Sequence, residues 1–285
     1  MGWGMERFVD RLLERSRRKD SLVCVGLDVD PERIPEPLRG RSDWVYEFNR
    51  GIIEATSDLV CAYKPNLAFY EALGLSGLEA LMRTLKAMPR DVLVIGDAKR
   101  GDVGHTARAY ARALFEQFGF DAATVNPYMG RDSVEPFLTY QDRGLFLLCK
   151  TSNPGSGDFQ DLSCAVPEGS LPLYQVVALR AREWNARGNL GLVVGATYPQ
   201  QLAEVRRLTP ELPLLIPGVG AQAGDLERTV LDGTDAAGER VLINSSRQVI
   251  FASAGADWRD AARQAAAQLR DAINGYRRSK ARTED

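Results

Sequence analysis

Histidine is almost missing from this chain: His105 is the only one in 285 residues. A multi-histidine metal site is therefore excluded, and a histidine-based triad would have to use that single residue. If the chain is an enzyme, Lys, Asp or Glu must carry its proton chemistry. Cysteine is scarce too. Cys24, Cys61, Cys149 and Cys164 show no C-x-x-C spacing. Three of them fall in apolar runs, where a free cysteine acts as a small buried hydrophobe. The expectation is a reduced protein, not a disulfide or zinc scaffold. No apolar run approaches the roughly 20 residues that span a bilayer, and the opening MGWGMERF has no apolar signal core. An excess of either charge is also absent. The 36 Lys and Arg against 38 Asp and Glu leave a formal charge of −2, which offers no case for nucleic acid or an anionic membrane as partner. The expected setting is cytoplasmic and the expected ligand a small molecule.

What is present is a regular series of short apolar runs: SLVCVGLD (21–28), LVCAYKPN (59–66), DVLVIGDAK (91–99), DAATVNPY (121–128), GLFLLCKTS (144–152), LGLVVGAT (190–197), LPLLIPGVG (212–220) and RVLINSSR (240–247). Most are continuously hydrophobic, the pattern of parallel strands covered on both faces. Amphipathic segments separate them, for example the stripe Trp44, Val45, Phe48, Ile52 and Ile53. Eight such β–α units predict a single (β/α)8 barrel over 1–285, with its core at about 20–275 and an extra N-terminal helix near Phe8–Arg17. The tail 279–285 is expected to fray. A doubly wound sheet is the alternative, but its glycine motif belongs after the first strand, where only GLDVDPE stands.

Barrel active sites lie at the C-terminal ends of the strands. There the runs end in Asp28, Lys64, Asp97–Lys99–Asp102, Asn126, Thr151–Ser152–Asn153, PGVG and Ser245–Ser246–Arg247. Each alone reads as a cap, a turn or a surface charge. Polar endings on most of eight strands at one rim read as a site. PGVGAQAG (217–224) and Arg247, after the seventh and eighth runs, fit a phosphate site of backbone N–H groups and a guanidinium.

VIGDAKRGDVGHTA (94–107) is the densest charged stretch at that rim. Asp97 and Lys99 are two apart, so an extended strand end would point both to one side. Asp102 then completes a carboxylate–ammonium–carboxylate array. A lysine flanked by anions keeps its proton and suits a proton donor. A solvated salt-bridge cluster is the bland alternative, and Schiff-base chemistry is opposed by the same carboxylates.

At these residues the chain resembles a known family. DAKRGDVGHTA is similar to the D-x-K-x-x-D motif of the orotidine 5′-phosphate decarboxylases, and AYKPNLAFYE, TVNPYMGRDS, CKTSNPGS, PGVGAQAGD and INSSRQVIFA resemble their longer bacterial subclass (type 2), from about Leu22 to Ala252. The resemblance implies cofactor-free, metal-free decarboxylation of orotidine 5′-monophosphate to uridine 5′-monophosphate, which completes de novo pyrimidine synthesis. It implies that Lys99 protonates C6 and Asp97 holds Lys99 near the substrate carboxylate. Asp102 and Thr106 would reach the neighbouring subunit's site in a homodimer. It further implies ribose contacts for Asp28 and Lys64, a pyrimidine contact for Ser152 and phosphate contacts for Gln222 and Arg247, with Pro217 also among the substrate-binding residues. His105 departs from the family's Ser or Asn, and a structural role beside the site is expected for it. Two rivals remain. A Mg²⁺-dependent sugar-phosphate decarboxylase or aldolase of the same superfamily would want further carboxylates, whereas the second run ends in Lys64-Pro65-Asn66. A non-catalytic nucleotide-binding barrel would have no need of the charged motif.

Overall fold

The computed structural model describes residues 6–167, 169–219 and 225–284. Ten strands are formed by these residues: β1 Val23–Gly26, β2 Ala62–Lys64, β3 Leu93–Arg100, β4 Ala122–Val125, β5 Gly144–Lys150, β6 Ser163–Val166, β7 Gly169–Pro172, β8 Leu190–Val194, β9 Leu214–Pro217 and β10 Val241–Ser245. Eight of them close a barrel in the order β1-β10-β9-β8-β5-β4-β3-β2. Every pairing in the barrel is parallel. All eight apolar runs therefore supply a barrel strand.

The barrel explains why the runs are continuously apolar. One side-chain set points inward: Cys24, Ala62, Leu93, Ile95, Ala122, Phe146, Val193, Leu215 and Leu242 form a single cluster drawn from every barrel strand. The alternate set, including Val23, Val25, Val94, Ala123 and Ile243, packs outward against the helical layer. Neither face meets water, so alternation with polar residues is not required.

Helix Phe8–Lys19 closes the N-terminal end of the barrel. Phe8 is fully buried and meets Phe146 edge-on, with ring centroids 5.9 Å apart. Gly144 makes room for it, since a Cβ there would lie 2.4 Å from the Phe8 ring. Arg17 pairs with Glu239 just before β10 at 2.7 Å. The helix is thus a plug opposite the strand ends that carry the polar residues.

One feature differs from the sequence-based expectation. Strands β6 and β7 form an antiparallel hairpin outside the barrel, in the connection after β5. The final helix runs Trp258–Glu284. Strong helix formers dominate that stretch, and no glycine or proline follows Gly275 to stop it. No described helix is long and apolar enough to cross a membrane.

Candidate active site

A cavity of about 490 Å³ opens at the C-terminal ends of the barrel strands, a size that suits a small-molecule ligand. Asp28, Lys64, Asp97, Lys99, Ser152, Pro217 and Arg247 all line it. Seven of the ten residues expected at a site are therefore brought together by six different strands and their following loops.

Asp97 is the hub. Its Oδ2 accepts from Lys64 Nζ at 2.8 Å, and its Oδ1 accepts from Lys99 Nζ at 2.7 Å and Thr124 Oγ1 at 2.9 Å. Burial opposes ionisation of Asp97 most strongly. The charges and hydrogen bonds of Lys64 and Lys99 outweigh it and hold the carboxyl well below its usual range. For Lys64, burial likewise opposes the charge, but Asp97 and Asp28 together raise its pKa above the ordinary lysine value. The side chains of Lys64 and Asp97 are 6% and 10% exposed, whereas Lys99 is 48% exposed and faces the cavity mouth. One lysine locks the carboxylate from behind; the other is presented to a ligand.

The geometry around Lys99 is not that of an extended strand. Along β3 the register passes from Gly96 to Arg100 while β4 advances only from Ala123 to Val125. Lys99 takes up part of this bulge with φ +47°, a left-handed conformation that costs a non-glycine residue about 1 kcal/mol. Thr124 holds it there: its Oγ1 accepts from the backbone N–H groups of Ala98 and Lys99, both at 3.0 Å, while donating to Asp97. One donor and two lone pairs are all used. The predicted neighbourhood of Asp97 and Lys99 is correct, but a bulge creates it, not simple alternation.

The expected carboxylate–ammonium–carboxylate array is not formed within one chain. Asp102 lies outside the cavity and accepts from the Val103 N–H at 2.8 Å. The observed order is ammonium, carboxylate, ammonium, through Lys64, Asp97 and Lys99. Thr106 also lies outside the cavity, on helix Gly104–Arg112, where its N–H meets the Val103 carbonyl at 3.0 Å. Gln222 falls outside the described residues. His105 is exposed and lines a separate surface pocket with Arg108, Arg112 and Tyr140.

Other lining residues supply polar groups with open valences. A buried Oδ1 on Asp28 and another on Asn244 have no protein partner among the described residues. Thr151 and Gln160 are tied to each other: Thr151 N–H donates to Gln160 Oε1 and Gln160 Nε2 to Thr151 Oγ1, both at 2.8 Å. Thr151 Oγ1 donates onward to Asn153 at 2.6 Å. No described residue hydrogen-bonds the Ser152 hydroxyl. Gly195 lets Ser152 sit where it does, because a Cβ there would lie 2.8 Å from the Ser152 backbone nitrogen. Pro217, Gly218 and Val219 form the cavity wall next to Arg247, with Gly218 at φ +95°.

Sequence reasoning missed Thr124, Gln160 and Asn244. Threonine is a good strand former, so Thr124 within DAATV looks like scaffold. Gln160 follows a loop without periodicity. Asn244 interrupts the apolar run VLINS, and that break was the available signal.

Among the described residues, no three His, Cys, Asp or Glu side chains are grouped so as to hold a metal ion. The carboxylates lining this cavity among the described residues are Asp28 and Asp97, and Asp97 already pairs with two ammonium groups. A divalent cation there would face both lysines.

The chain matches the family described as "Orotidine 5'-phosphate decarboxylase / HUMPS family" over residues 21–265. An orotidine 5'-phosphate decarboxylase of Azoarcus sp. (strain BH72) is 54% identical over 272 residues, covering 95% of this chain and 99% of that protein. One from Roseiflexus castenholzii (strain DSM 13941 / HLO8) is 52% identical over 273 residues, covering 95% and 99%. Among solved structures, Leishmania donovani OMP decarboxylase superposes with a TM-score of 0.83 at 42% identity, covering 95% of this chain and 99% of that one. A family match over most of the barrel, joined to near-full-length relatives at this identity, leaves one assignment: the chain belongs to the orotidine 5'-phosphate decarboxylase / HUMPS family.

Proposed function

We propose that this protein decarboxylates orotidine 5′-monophosphate to uridine 5′-monophosphate and carbon dioxide, without metal or cofactor. The observation that carries the proposal is the Lys64–Asp97–Lys99 chain of charges, with contacts of 2.8 and 2.7 Å, at a cavity in a chain of this family. The C6–carboxylate bond breaks, its electron pair stays on C6, and carbon dioxide leaves. Lys99 Nζ then delivers a proton to C6. A fixed ammonium beside the developing carbanion stabilises charge that exists chiefly in the transition state. Asp97 stays ionised, holds Lys99 in place and sets a negative charge near the departing carboxylate.

Binding follows the unused valences. The free Oδ1 of Asp28 is an acceptor for a ribose hydroxyl, next to Lys64. Ser152 has an uncommitted hydroxyl for the pyrimidine edge, whereas Thr151 is already bonded to Gln160. Pro217 and Gly218 line the phosphate end with Arg247, and Gln222, five positions after Pro217 in the sequence, is proposed as a further phosphate ligand. Phosphate binding far from C6 contributes to organising the loops and excluding water.

The functional unit is a homodimer, with Asp102 and Thr106 serving the neighbouring site. Supporting this, Val103, Tyr128 and Met129 are 45%, 81% and 47% exposed in the connections after β3 and β4, an apolar surface beside the two residues the single chain leaves outside its cavity. The proposed compartment is the cytoplasm, in keeping with four free cysteines, three of them buried. The two lysines on Asp97 favour this reaction over a Mg²⁺-dependent one, and the solvent-facing Lys99 favours catalysis over ligand sensing.

Loss of orotate absorbance on adding orotidine 5′-monophosphate tests the proposal, with and without EDTA. Full activity in chelator is expected. Activity abolished by EDTA would overturn the metal-free reading, and binding without turnover would favour a sensor.

A further inference from the structure

Lys150 ends β5 with a side chain that is 0% exposed, and no step above uses it. Its Nζ donates to both carboxylate oxygens of Asp161 at 2.8 Å and to Ser156 Oγ at 3.2 Å. The same ammonium lies 4.6 Å from the centroid of the Tyr198 ring, which follows β8. Ser156 Oγ donates in turn to the Tyr198 hydroxyl at 3.4 Å. One buried charge thus joins the end of β5, two points of the following loop, and the loop after β8.

Burying an ammonium carries a large desolvation cost, and an apolar side chain of similar volume commonly serves stability as well or better. A role in fixing geometry accounts for the charge. The position is telling: Lys150 adjoins Thr151, and Asp161 adjoins Gln160. The Thr151–Gln160 pair, with its two 2.8 Å hydrogen bonds, and the Lys150–Asp161 pair are successive rungs closing one loop, 151–160. Thr151, Ser152, Asn153 and Gln160 from that loop line the cavity.

Resting on the proposed function, we infer that Lys150 and Asp161, under the Tyr198 ring, form a positioning clamp that fixes Ser152 against the pyrimidine and so sets base specificity. The clamp takes no part in proton transfer. Its contribution belongs to the base and not to the ribose phosphate, which is held from β1, β2, β9 and β10.

The test compares uridine 5′-monophosphate with ribose 5-phosphate by calorimetry on the full chain. The variants are Asp161→Ala and, to remove the buried charge without leaving it orphaned, Lys150→Met. The expected result is a loss of about tenfold or more for uridine 5′-monophosphate, the size of one or two net hydrogen bonds, with ribose 5-phosphate changed by less than about twofold. Hydrogen exchange should quicken at 151–160 and stay unchanged in the barrel strands. Equal losses for both ligands, no loss for either, or unchanged exchange in the loop would overturn the clamp. A wild-type chain that bound ribose 5-phosphate as tightly as uridine 5′-monophosphate would instead overturn base reading itself, and the clamp's role with it.

Discussion

Two ammonium groups share the Asp97 carboxylate, Lys64 through Oδ2 and Lys99 through Oδ1. The three charges have unequal exposure, and that inequality separates their work. Buried Lys64 fixes the carboxylate, while half-exposed Lys99 remains available to a ligand. Asp97→Asn leaves Lys64 buried without its main counter-charge, and breaking such a pair costs about 3–5 kcal/mol. The pH dependence follows from the direction of each shift. Asp97 titrates below the ordinary carboxylate range when folded, so its stabilisation is complete above that range and is lost as pH falls through its lowered value. Lys64 titrates above the ordinary lysine range, so its stabilisation is lost only as pH rises through that higher value. The difference in urea midpoint between wild type and Asp97→Asn should therefore be flat between about pH 5 and 8 and shrink in acid. A difference that grew in acid would contradict the assignment. Asp97, Lys99 and Lys64 could be found from sequence because charged residues at the ends of apolar runs stand out. Thr124, which uses every valence of its hydroxyl to hold the bulge, could not, because threonine is unremarkable in a strand.

Strand order was readable because both faces of each barrel strand are apolar. The β6–β7 hairpin was not: its residues are exposed or half-buried throughout, so no apolar face marks its period. Helix Pro199–Leu208 shows a second feature hidden from pattern reading. Arg206 is 8% exposed and donates to the carbonyls of Gly233, Thr209, Pro210, Leu212 and Arg240, at 2.8 to 3.2 Å. Burial without a carboxylate contact pushes its pKa down to about 10. The guanidinium ties the end of one helix to the starts of β9 and β10, on the face away from the cavity. In sequence it is one of two adjacent arginines on an amphipathic helix. Arg206→Met strands several buried carbonyls, and a loss of about 3 kcal/mol or more is expected by denaturant unfolding, with kcat within about twofold of wild type. A large fall in kcat in the folded variant would mean that this end of the barrel governs the site.

At the scale of the whole molecule, the barrel supplies a cavity, yet Asp102 and Thr106 stand outside it. The sequence motif joins Asp97, Lys99 and Asp102 within six positions, but the fold sends the first two inward and turns the third away at the start of helix Gly104–Arg112. Spacing along a chain cannot distinguish those destinations, since the bulge at Lys99 redirects everything after it. If the neighbouring subunit receives Asp102, Lys99→Ala and Asp102→Ala chains complement each other. Each inactive variant alone should stay inactive, while mixed dimers regain activity at the one site that combines both intact residues. No recovery after demonstrated subunit exchange would rule out a shared site.

The most direct measurement concerns the lysine at the cavity mouth. Lys99→Ala should bind uridine 5′-monophosphate, because its ribose and phosphate contacts come from other strands, and should remain folded. Its decarboxylation rate, followed by loss of orotate absorbance, should fall by at least about a thousandfold, as expected when transition-state charge stabilisation and the proton donor are removed together. A folded, ligand-binding Lys99→Ala chain that decarboxylated at close to the wild-type rate would contradict the assignment of proton donation to Lys99.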